Sequence, residues 1–186
     1  KENTMLPEKS VRNYISTILQ EKDVPEKFAA IAAGTLTRAY FNQDEGCMEI
    51  VTNTYVKKEI AKKLGLKSPG PVGSGLNKLS EAGFLKCVEN GVYRFNPAYF
   101  GNRPWAEVQE IRIQKCFGAE SNMNILAKYG DDLVEFKEDS AFLTVESKEE
   151  DSEGVEDVKE SSEIATEAAP AMNPPEENPK MRYPVD

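Results

Sequence analysis

The chain has 186 residues, 39% hydrophobic and 30% charged, with a formal net charge of −9, three cysteines and no histidine. The absence of histidine excludes Ser-His-Asp and Cys-His nucleophile pairs and His-ligated metals, and the widely spaced Cys47, Cys87 and Cys116 offer neither a CxxC pair nor an even disulfide set. No run approaches the ~18 apolar residues of a membrane span and no signal-peptide pattern opens the chain, so the expectation is a non-enzymatic cytoplasmic protein, without membrane contact or cofactor.

The acidic balance conceals an asymmetry. Residues 1–118 carry 17 Lys/Arg against 13 Asp/Glu, whereas residues 119–186 carry 6 against 19. Charge is therefore read by region, and the first region suits a polyanionic partner.

Along the chain, residues 8–20 place Val11, Tyr14, Ile15, Ile18 and Leu19 at the spacing of an amphipathic helix. Pro25 stands near the start of a second helix over 25–42, with Phe28, Ile31, Ala32, Leu36, Ala39 and Tyr40 on its apolar face. A polar turn over 42–46 precedes a short strand with Met48, Ile50 and Val51, ending at Thr52-Asn53. Thr54 is placed to cap a helix over 55–64. Val56, Ile60, Ala61 and Leu64 line its inner stripe, Lys57, Lys58, Lys62 and Lys63 lie elsewhere, and Gly65 closes it. Ser68 then caps a helix over 69–82 that begins with Pro69 and turns Val72, Leu76 and Leu79 inward.

Phe84–Val88 and Val92–Asn96 bracket Glu89-Asn90-Gly91, and Asn-Gly between alternating apolar residues is a strong hairpin signal. After Pro104, WAEVQEIRIQKCF reads as a helix with Trp105, Val108 and Ile111 on one face. LVEF and AFLTV, within 119–147, spell a small hairpin. From about 146 onward the chain is rich in Glu, Ser, Pro and Ala, too poor in apolar surface to offset ordering entropy.

The expected organisation is an N-terminal helix (1–24), a winged helix-turn-helix domain with an exit helix (25–118), a small hairpin or linker (119–145) and a disordered acidic tail (146–186). The fold class read from the pattern is mainly α with a small β-hairpin. Ala61 at the helix crossing, Gly65 at the turn and Val72 and Leu76 facing inward are spaced as a helix-turn-helix. That register turns the start of helix 69–82 outward, where a major groove admits it. Candidate contacts to double-stranded DNA are Lys57, Lys58, Ser68, Ser74, Asn77 and Lys78 on the helices, with Lys86, Asn90 and Arg94 on the hairpin near phosphates or the minor groove. The Gly/Pro-rich start of helix 69–82 leaves three options open: a late start, close backbone approach in place of side-chain readout, or a loosened turn with weak base discrimination.

Two other signals are discounted. Trp105 has the spacing of a core residue rather than a stacking platform. Tyr129-Gly-Asp-Asp132 matches a polymerase tetrapeptide, but a metal-binding palm needs far more chain and a further aspartate strand, so the match is by chance.

The segments EIAKKLGL, LNKLSEAGFLK and above all NGVYRFNPAYFGNRPWAEVQEIR resemble the RepL-type replication initiators of Firmicute plasmids, related to MarR-like winged helices, over roughly residues 25–115. The block Gly-Val-Tyr-x-x-Asn-Pro-x-x-Phe followed by a tryptophan segment looks like that family's wing and exit. The resemblance implies binding at a replication origin and recruitment of host replication proteins, with no catalytic site implied. A MarR-like transcription regulator and a winged-helix module that binds protein are the alternatives. Because such domains bind paired half-sites, residues 8–20 and the Trp105 segment are the expected contact of a homodimer.

Overall fold

Two antiparallel sheets, with helices packed on them, replace the mainly α architecture expected from the pattern. A computed structural model describes residues 6–117 and 122–143, which fall within one of the chain's two units, Lys1–Glu146. The expected acidic tail, 146–186, lies outside the described residues.

Helix α1 (Glu8–Gln20) buries Val11, Tyr14, Ile15, Ile18 and Leu19, the stripe its spacing dictates. Helix α2 (Lys27–Leu36) is shorter than expected, and Tyr40–Asn42 is instead a strand, β1, paired with β2 (Cys47–Val51). The turn between them is fixed by Asn42, whose Oδ1 accepts from the backbone N–H groups of Asp44 and Glu45. Helix α3 (Thr54–Lys63) is capped by Asn53 rather than Thr54: the Asn53 Oδ1 accepts from Val56 N–H at 2.8 Å. Helix α4 (Gly70–Glu81) follows Pro69 and has no side-chain cap, so Ser68 does not play the expected part.

Strands β3 (Leu85–Glu89) and β4 (Val92–Phe95) form the expected hairpin around Asn90-Gly91 and complete a four-stranded sheet of order β1-β2-β4-β3. Its tip is tied down. Thr52 donates to the Gly91 carbonyl from both its backbone N–H, at 2.6 Å, and its hydroxyl, at 2.9 Å. Gly91 has φ +83°, and a Cβ there would meet the Thr52 carbonyl oxygen at 2.8 Å. Gly91→Ala should therefore lower unfolding free energy by about 2 kcal/mol, from left-handed strain and the backbone clash together. An unaltered urea midpoint would show that the tip is not pinned in this way.

Asn96 caps the short α5 (Pro97–Phe100) by accepting from Ala98 N–H at 2.9 Å. The expected exit helix is absent. Only Trp105–Glu107 makes a 3-10 turn, and Val108–Cys116 is a strand, β5, paired with β6 (Asn122–Tyr129), which pairs in turn with β7 (Asp132–Glu135). The cause is a β-bulge between Val108 and Glu110. Val108 faces Tyr129 and Ile111 faces Ala127, so two residues three apart share the inward face and imitate helical spacing. Tyr129-Gly-Asp-Asp132 is simply the β6–β7 turn, with Asp132 3.1 Å from the Arg103 guanidinium. Ala141–Leu143 belongs to a helical turn, α6 (Ser140–Leu143), not to the strand suggested by AFLTV.

Aromatic side chains join these parts. Phe100 meets Phe95 edge-on at 5.0 Å and Trp105 at 5.8 Å, and Trp105 lies 5.9 Å from Tyr14 of α1. The Tyr14 hydroxyl donates to the Tyr99 carbonyl. Phe136, just after β7, sits against Gly101, where a Cβ would come within 2.5 Å of its ring. Trp105 is thus a core residue, as its spacing indicated, although not on a helix.

Candidate nucleic-acid interface

The first part of the surface follows from the arc of α3. Ile60 and Ala61 are buried, which turns Tyr55, Lys58 and Lys62 to the opposite side at i, i+3, i+7. Tyr55 is 68% exposed. Lys57 is half-buried and points at the start of α4, its ammonium 4.0 Å from where a Cβ on Gly73 would stand. Lys63 pairs with Glu8 at 2.9 Å, and Glu59 approaches Arg38 at 3.9 Å. Lys57, Lys58, Lys62 and Lys67 enter no ion pair among the described residues.

The second part is α4. Val72, Gly75, Leu76 and Leu79 are buried, leaving Gly70, Pro71, Ser74, Asn77, Lys78 and Glu81 outward. One of its glycines has a packing reason: a Cβ on Gly75 would stand 2.6 Å from Ile31 Cδ1 and 3.3 Å from Phe28, so α2 crosses α4 where only hydrogen fits. The outward face is small at its start, with Gly70, Pro71 and Ser74, and carries longer side chains only from Asn77 onward. Lys78 is drawn to Glu81 at 2.6 Å, while Asn77 Oδ1 accepts from the Tyr93 hydroxyl at 3.1 Å.

The structure brings Lys57, Lys58, Ser68, Ser74, Asn77 and Lys78 to the α3–α4 surface and leaves Asn90 exposed at the hairpin tip. Lys86 and Arg94 are elsewhere. They stand opposite one another across β3 and β4, on the sheet face turned away from α4, because Tyr93 and Phe95 take the inward positions. Arg94 lies between two carboxylates, with Nε 2.9 Å from Glu49 and Nη1 2.9 Å from Glu45. Glu49 also accepts from the Tyr40 hydroxyl and, at 3.2 Å, from Asn42 Nδ2. Burial alone would raise the Glu49 pKa, but the bonds from Tyr40, Arg94 and Asn42 outweigh it and hold the carboxyl below the usual range. Lys86 donates to the Phe142 carbonyl at 3.1 Å with its ammonium over the Phe142 ring. The Cys47 thiol beside this cluster is pushed up to about 11 by burial.

Comparison of the chain with protein-family models, curated proteins and solved structures finds no match.

The surface residues that the candidate set lacked are Tyr55, Lys62 and Lys67. Tyr55 and Lys62 were within reach of the sequence, since they share an arc with Lys58 once Ile60 and Ala61 are assigned inward. Chemically, four lysines without ion-pair partners among the described residues can donate to the oxygens of a polyanion and displace its counterions, with Tyr55 adding a hydroxyl donor and an apolar ring. Among the described residues no group of three or more Cys, Asp or Glu side chains is arranged as a metal site. No helix among them is long and apolar enough to cross a membrane.

Proposed function

We propose that the chain binds double-stranded DNA through α3, α4 and the Asn90 tip, and serves as a replication initiator of a plasmid or phage, acting without catalysis. The observation that carries this reading is the set Lys57, Lys58, Lys62 and Lys67 on α3 and the turn into α4, without ion-pair partners among the described residues. Free thiols at Cys47, Cys87 and Cys116 go with a cytoplasmic setting. The replication role, and recruitment of host replication proteins with it, rests on the resemblance of residues 25–115 to RepL-type initiators.

Changing Lys58, Lys62 and Lys67 together to Glu should weaken duplex binding about 100-fold or more in a gel shift and lower the log–log salt slope by about 2.7, since each lost phosphate contact removes about 0.9. These side chains are exposed, so circular dichroism should be unchanged. Lys86→Gln, on the far sheet face, should bind as the parent does. Parental affinity in the triple variant would remove the proposal. A plasmid carrying this gene should fail to replicate when the gene is deleted; continued replication would remove the initiator reading and leave a transcription regulator using the same surface.

A further inference from the structure

The outward face of α4 is nearly devoid of groups able to tell one base pair from another. The helix, GPVGSGLNKLSE, contains no Arg or Gln and a single Asn. Lys78 is engaged by Glu81, and the Ser74 hydroxyl rotates to donate or accept, which discriminates poorly. Asn77 is different because its orientation is set from behind. Tyr93 lies on β4 with its ring buried between Ile50 and Cys87 on the neighbouring strands, and its hydroxyl donates to Asn77 Oδ1 at 3.1 Å.

We infer that Asn77 is the specificity-determining residue of this surface, reading an adenine in the major groove, and that Tyr93 is the positioning residue that fixes its amide. The inference rests on the DNA-binding reading above. A carbonyl oxygen has two lone pairs; Tyr93 occupies one, leaving the other and both Nδ2 hydrogens of this exposed side chain for a partner. An acceptor beside a donor matches adenine, which offers its N6 amino group and N7, and mismatches guanine, which offers two acceptors. Rotating the amide by half a turn would exchange the two groups and set Nδ2 against the Tyr93 oxygen, so the hydroxyl would have to accept instead of donate and its proton would lose the Asn77 oxygen as acceptor. The hydroxyl thus selects one of two otherwise similar orientations, and a base preference follows from a buried side chain that never touches DNA.

The test is selection of the full chain against a pool of duplexes containing a randomised stretch, followed by sequencing. The parent should enrich sites with adenine at one position. Asn77→Ala should reduce the preference there by about tenfold or more. Tyr93→Phe keeps the ring and removes only the hydroxyl; it should relax the same position, and no other, to an intermediate degree. Parental enrichment without a preferred adenine, or an adenine preference that survives Asn77→Ala, overturns the inference while DNA binding stands. Failure of the parent to retain any duplex would overturn the DNA reading and this inference with it. Asn77 is exposed, so its variant folds even if Tyr93→Phe does not.

Discussion

Phe100→Ala should lower unfolding free energy by about 3–5 kcal/mol, read from the urea midpoint at constant slope. Phe100 is 1% exposed and touches Phe95 of the first sheet and Trp105 at the entrance to the second. Truncation removes a full ring's burial and its edge-on contacts, and the cavity would lie between elements that cannot close on it. Met48, whose sulfur is 3.4 Å from the Trp105 backbone nitrogen, and Tyr14, whose hydroxyl is held by the Tyr99 carbonyl, border the same space. Trp105 is the chain's sole tryptophan and is 6% exposed, so its fluorescence reports this joint directly. A loss below about 1 kcal/mol would mean that the two sheets are held together by something other than this aromatic joint.

Glu49→Gln should destabilise the protein by about 3 kcal/mol at neutral pH. The carboxylate is 6% exposed and accepts from three side chains on β1 and β4, so the neutral amide leaves Arg94 short of half its countercharge and sets an NH2 group either against the Tyr40 donor at one oxygen position or against the Asn42 and Arg94 donors at the other. The pH dependence has a definite sign. Because the folded carboxyl sits below the ordinary glutamate range, its stabilisation is fully present above the unfolded value of about 4.3 and disappears as pH falls through the lower folded value. The parent should therefore lose stability in acid that the Gln variant does not lose, and the gap between them should narrow. A gap that is constant from pH 7 down to acid unfolding would show that the carboxylate charge is not what matters.

The local elements were legible because their signals are local. The stripe of α1, the spacing across α3 and α4, and Asn90-Gly91 each lie within one short stretch of chain. The second sheet was not legible, because β5 declares itself only through β6. Its bulge puts Val108 and Ile111 on one face, so periodicity pointed to a helix with a physical cause behind the error. Tyr40 likewise reads as the last apolar residue of a helix until Glu49 appears opposite it across the turn. At the site, α3 and α4 gave up their lysines and Asn77 through helical geometry. Lys86 and Arg94 could be placed on a common face by strand alternation, but which face depended on Glu49, nearly forty residues before Lys86 and buried by pairing alone. Residue type proposed them as phosphate contacts; the carboxylates at 45 and 49 have the prior claim on Arg94.

The pair of hydrogen bonds from Thr52 to Gly91 has a thermodynamic implication for any partner of this face. Thr52 immediately precedes the cap of α3, so the hairpin tip and the start of that helix are clamped together before anything docks. A jaw that arrives already set leaves little motion to be frozen on association, which favours a small unfavourable configurational entropy and a heat signature dominated by desolvation and ion release. Thr52→Val, which silences one of the two clamps, should appear in calorimetry as a larger entropic penalty rather than as lost enthalpy.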